Sequence, residues 1–286
     1  MTSKRYLREP RRKFINHLAT SLATLAVILS LLWLIWIIVT VFYRGIQGFN
    51  LSIFMEMTPP PGSGGGLLNA IIGSIMLTLG GLIIGAPIGI LTGIYLAEYR
   101  KEIPILAMVI RFFNDILLSA PSIILGLYIY EVYVVRVHNF SALAGMLALS
   151  LIVIPIIIRV TEDTLLLIPP ILKENALALG ATKYETIRSI LLILARSGIL
   201  TGFLLAAARI SGEAAPVLFT ALNNQFWNVD ITKPIANLPT VIYQYVMSPY
   251  DEWQQLAWCG AMLITLWVLV INLVARFTLK RDPGLF

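Results

Sequence analysis

Gly202, Ala206, Arg209 and Glu213 follow one another at offsets of four, three and four inside an apolar run, 190–217. On a helix they share one narrow sector, so an arginine and a carboxylate occupy a face otherwise made of small residues. A charge at mid-bilayer costs about 2.5–3.5 kcal/mol on insertion scales, and such residues pair up or line a watery route. A guanidinium offers an oxyanion planar, bidentate donors and never loses its charge. A carboxylate one turn away loosens that grip, and it favours an oxyanion that still carries a proton to donate. The chemistry available is therefore reversible anion binding; an intrahelical ion pair that neutralises itself is the alternative. Arg159, followed by Glu162 and Asp163, and Arg111, followed by Asp115, repeat the pattern near segment ends, where they read equally as interfacial anchors. Arg209 stands 13 residues beyond Arg196. That is about 20 Å of helix, past the midplane towards the outside. His17 and His138 have no partners at ligand spacing, so no metal is expected.

The elements that position these charges are membrane spans. Hydrophobic residues make up 58% of the 286 and charged ones 13%, and the mean hydropathy is +0.85. These values exclude an ordinary soluble domain. Six segments reach the roughly 20 apolar residues that a bilayer core requires: near 19–42, 67–97, 105–130, 142–162, 190–217 and 255–279. In lipid they must be helices, because unpaired backbone groups are not tolerated there. The first is longer than a signal-peptide core and is followed by no small-x-small cleavage site, so it is expected to be retained. With the N-terminus inside, 17 of the 21 Lys and Arg residues face the cytoplasm, as the positive-inside rule requires. The net charge of +6 then reflects topology and anionic lipid, and nucleic acid is not implied. Cys259, alone in the chain, is a packing residue of the last span.

Span two carries Gly81, Gly85, Gly89 and Gly93 at every fourth position, a stripe along which another helix can pack closely. The run Thr58 to Gly66 is too rich in proline and glycine to be helical throughout. Residues 163–189 are too polar to span and too long for a turn. Pro169-Pro170 break the chain there, a surface helix is expected over Leu172 to Lys183, and Gly180 suits a helix end or a turn. The outer stretch 218–254 reads either as a platform of short helices for a soluble partner or as a plain connection.

The polar loop carries a resemblance. Glu174, Ala176, Gly180, Ile190 and Leu192 fall at the spacings of the EAA loop of ABC-transporter permeases, with Asn175 and Ile193 departing from it. Four further stretches are similar to the PstA-type permeases of phosphate ABC transporters: Pro60 through Tyr99, Ala120 through Leu127, Arg159 through Asp163, and Ala208 through Pro216. In the last, Ala214 stands where that family has Thr. The resemblance implies an all-α, polytopic protein with six transmembrane helices, a type I ABC-importer permease fold and a cytoplasmic coupling helix. Its parts would be a cytoplasmic segment 1–18, a first helix and outer loop 19–57, and a core 58–286 of five helices with its coupling loop at 163–189.

Such a subunit forms half of a pathway for inorganic phosphate in the cell inner membrane, with both termini cytoplasmic. Arg209, Glu213 and Arg159 would line the pathway, and Glu174, Asn175, Ala176 and Gly180 would meet the ATPase. The partners implied are a second, related permease, two ATP-binding subunits, an extracytoplasmic phosphate-binding protein and membrane lipid. The chain has no Gly-x-x-x-x-Gly-Lys-[Ser/Thr] sequence. It is accordingly expected to be no enzyme, to bind no cofactor, and to leave ATP to its partners. Competing readings are a permease of the same fold for molybdate, tungstate or sulphate, an ion-coupled secondary transporter, and a membrane scaffold. The docking loop would have no purpose in the second, and the buried charges none in the third.

Overall fold

The structure, a computed structural model, describes residues 9–280. Lys4, Arg5, Arg8 and Arg281, which enter the charge asymmetry, lie outside the described residues. Among those described there is no strand. Eleven helices suffice to follow the chain: α1 (Glu9–Gln47), α2 (Ser52–Met55), α3 (Leu68–Glu98), α4 (Pro104–Ser119), α5 (Ser122–Val137), α6 (Ala142–Leu166), α7 (Pro170–Ala178), α8 (Lys183–Ser211), α9 (Ala215–Leu218), α10 (Leu238–Val246) and α11 (Asp251–Lys280). Short π-helical turns interrupt α5 at Tyr130–Val134 and α8 at Ile187–Leu191.

Five of these helices are long and apolar enough to cross a membrane unaided. The expected third span, 105–130, is not one helix: α4 and α5 meet at a bend of 107°. The cause is local. Pro121 has no N–H to donate and forces Ala120 into an extended conformation (φ −67°, ψ 133°), which ends α4. Packing elsewhere shows how the pair must be counted. Gly81, Gly85, Gly89 and Gly93 of α3 lie against Leu149, Val153, Ile157 and Thr161 of α6. Both series ascend together, so α3 and α6 run parallel. Two parallel spans require an intervening crossing, and α4 with α5 supplies it. The protein therefore has six spans, the third of them broken.

The α3–α6 seam is the centre of the molecule. A Cβ built on Gly85 would lie 2.9 Å from that of Val153, and one on Gly89 2.7 Å from that of Ile157. Neither position has room for a side chain. The principal apolar cluster, including Leu82, Leu149, Val153, Ile157 and Ile210, spreads from this seam to α8. Gly89→Leu is expected to destabilise the protein by about 1–3 kcal/mol through overpacking. A lowered unfolding midpoint in detergent is the readout, and an unchanged midpoint would show that the seam can open at no cost.

Helix ends follow their sequence. Ser141 caps α6 by accepting from Ala144 N–H at 3.2 Å, and Asn237 caps α10 by accepting from Thr240 N–H at 3.0 Å. His138 closes α5 in the left-handed region, φ 55°. The stretch 218–254 is knitted to the start of α6: Ala142 and Leu143 donate to the carbonyls of Lys233 and Ile231 at 2.9 Å each. Its asparagines are structural, since Asn224 and Asn228 both donate to the Pro234 carbonyl, and Asn69 of α3 donates to Thr58 and to the Gln225 carbonyl. There the Thr232 hydroxyl and N–H hold the Asp230 carboxyl below its ordinary pKa. Helix α1 touches the body only near its C-terminal end, where Cys259 donates to the Gly45 carbonyl at 3.2 Å; from Arg12 to Val39 it is exposed throughout.

Candidate functional site

Arg209 occupies the last turn of α8, at the level of the break in span three. A cavity of about 110 Å³ opens beside it, walled by Leu117, Ala120, Ser122, Leu125, Ile152 and Pro155 among others. Non-helical backbone at membrane depth is tolerated where it lines such a space. Ser122 is the first residue of α5, so the positive end of that helix, with its unpaired N–H groups, lies at the cavity wall. Depth follows from the neighbours: Ile210 lies beside Gly81, near the middle of α3.

Glu213 approaches Arg209 at 3.4 Å. It does so from beyond the helix, which ends at Ser211, so the four residues expected on one helical face do not all lie on one helix. Gly202 and Ala206 are buried, Gly202 against Val160 of α6, whereas the Arg209 side chain is 60% exposed. The small residues thus make the close contact, and the arginine stands on the open side. One nitrogen at 3.4 Å from a carboxylate leaves most of the guanidinium available to an anion.

Arg159 continues the α6 strip of Ile152, Pro155 and Ile156 by helical periodicity, towards the C-terminal end of that helix. It pairs with Asp163 at 3.1 Å, and both side chains are more than half exposed. Glu162 does not join them. It is 6% exposed and binds Arg111 of α4, replacing the expected Arg111–Asp115 pair with a clasp between two spans. The sequence holds one sign of this: 162 falls on the α6 face of Thr161 and Leu165, which turns inward.

The loop between α6 and α8 presents the second set of residues. Its helix runs from Pro170 to Ala178, shorter at the far end than the expected Leu172 to Lys183. Pro170 starts it, since a first-turn residue needs no N–H partner. Gly180 stops it at φ +88°, where Gly180 N–H donates to the Leu177 carbonyl and Ala181 N–H to that of Ala176. A reciprocal Thr182–Glu185 capping box then opens α8. Glu174, Asn175, Leu177 and the Gly180 turn are exposed, whereas Ala176 is buried and lets the helix lie close to the body. Leu179, which no spacing or motif singles out, is 90% exposed on this loop.

Residues 85–281 match the family described as binding-protein-dependent transport system inner membrane component. The phosphate transport system permease protein PstA of Yersinia pestis is 52% identical over 277 residues, 96% of this chain and 93% of that protein. The probable PstA of Methanocaldococcus jannaschii is 36% identical over 221 residues, 77% and 78% of the two chains. Among solved structures, an inward-facing MetNI methionine ABC transporter covers 75% of this chain and 95% of its own, with a TM-score of 0.58 at 23% identity. An amino acid ABC transporter with histidines covers 74% and 92%, with a TM-score of 0.53 at 16% identity. These two show the all-α fold of ABC importer permeases. The chain therefore belongs to the binding-protein-dependent transport system inner membrane component family and, within it, to the PstA-type permeases.

Proposed function

We propose that this multi-pass membrane protein is one permease half of an ATP-driven phosphate importer. The observation that carries the reading is the convergence of an open guanidinium, Ser122 and the α5 N-terminus on one cavity at a broken span. Relatives named as phosphate permeases, at about half identity, supply the substrate. Arg209 binds the oxyanion, Glu213 holds the arginine back from binding too tightly, and Arg159 receives the anion further in. Arginine binding is reversible, no covalent intermediate forms, and alternating access does the work.

The driving force comes from elsewhere in the complex. The sequence carries no P-loop, so ATP is bound and hydrolysed by two associated subunits, and this chain holds no cofactor. Glu174, Asn175, Leu177 and the turn at Gly180 meet an ATPase on the cytoplasmic side, where both termini also lie. A second, related permease completes the pathway, and a soluble phosphate-binding protein delivers to its outer mouth.

The test is ATP-dependent uptake into vesicles holding the whole complex, with sulphate and molybdate as competitors. Selective phosphate uptake is expected; uptake led by either competitor would reassign the substrate. Monoprotonated phosphate can donate a hydrogen bond to Glu213 and sulphate cannot. Glu213→Gln should thus cut the preference for phosphate over sulphate roughly tenfold, the size of a charge-assisted hydrogen bond. An unchanged preference would remove Glu213 from selectivity.

A further inference from the structure

We propose that Glu98 and Lys173 form the strut through which the docking loop moves the membrane core. They are positioning residues, and losing the pair separates ATP hydrolysis from transport. This rests on the importer reading of the loop. Glu98 is the last residue of α3, and Lys173 lies on the inward face of α7, one residue before the outward-facing Glu174. The two side chains are joined in an ion pair, and they are only 9% and 23% exposed.

A second contact grips the same turn. Lys183, where α8 begins, lies 3.7 Å above the Tyr99 ring and also reaches Glu102. Leu172 packs with Ala97, Leu165, Ile168 and Leu191 beneath the pair. The docking helix is thus attached to its flanks by the short segments around Pro169 and Gly180, and to the core by charges that converge on residues 98–102.

The geometry decides what moves. A helix held only by its two flanking turns would pivot when pushed and dissipate the displacement. Bound to Glu98, α7 instead pushes along α3. The glycine seam then carries the displacement into α6, the helix of Pro155 and Arg159, because neither side of that seam can yield. Removing one partner leaves the other charge mostly buried and unanswered, so exchanging the two residues is the informative variant.

The experiment measures phosphate moved per ATP hydrolysed by the reconstituted complex, alongside ATPase retention and the unfolding midpoint. Glu98→Gln and Lys173→Met should retain the ATPase and its hydrolysis, yet transport about fivefold or more less per ATP, the lower end of allosteric couplings. Lys173→Arg, and the exchange Glu98→Lys with Lys173→Glu, should restore the ratio to within about twofold of the original. Wild-type stoichiometry in Glu98→Gln would overturn the strut. If the single variants fail to assemble, the exchanged protein decides: normal coupling supports the proposal, and an assembled but uncoupled complex overturns it. Failure of the importer reading would appear separately, as a wild-type complex that moves no phosphate.

Discussion

Arg209→Gln is expected to lower phosphate uptake roughly 10- to 150-fold, as losing a charge-assisted hydrogen bond of about 1.5–3 kcal/mol would do. Assembly should hardly change. The guanidinium is 60% exposed and meets Glu213 at 3.4 Å, a contact too open and too long to contribute much to folding. Its surroundings, by contrast, suit an anion: a broken backbone, a helix N-terminus and a small cavity. Arg209→Lys should fall between the two, keeping the charge while losing the planar fork. Uptake per assembled complex at saturating ATP is the measurement. Normal uptake by Arg209→Gln would make the residue a structural ion-pair member and move the path to another face.

Leu179→Asp should release the ATPase at least about tenfold more readily, the effect of removing an apolar anchor from an interface. Leu179 follows the last turn of α7 and is 90% exposed on a loop outside the spans, beside half-exposed Leu177. Apolar exposure of this kind away from lipid is otherwise unfavourable, by about 25 cal/mol for each Å². Because the side chain touches little of its own protein, the substitution leaves the fold intact. Co-purification of the ATPase with the permease gives the readout, and retention at the original level would place the docking surface elsewhere on the loop.

The spans were legible because lipid enforces long apolar helices, and the glycine stripe because its four-residue period survives in sequence. The break in span three was legible too in principle: Ala120-Pro121 states it, yet hydropathy over 105–130 sees only an apolar run. Arg209 and Glu213 stood out as charges where charge is costly. Their geometry did not, because α8 stops at Ser211 and brings Glu213 back from a non-helical turn. The partners in the pairs Arg111–Glu162 and Glu98–Lys173 could not be read, although position 162 falls on the inward face of α6. Each joins residues 51 or 75 positions apart, and nothing local distinguishes a clasp between helices from an interfacial anchor. Local chemistry predicted elements; partners across elements were set by packing.

The parallel seam also constrains how the protein is made. Helix α3 enters the bilayer with a glycine-lined face, and the surface complementary to that face begins only at Ala142. Until α4 and α5 have crossed and α6 has followed, the groove of the second span can meet only lipid. Core assembly in the membrane is thus delayed until most of the polypeptide's first 166 residues have been synthesised. Premature termination just before α6 leaves a three-span fragment that cannot pack its own glycine groove, a natural mark for quality control to recognise.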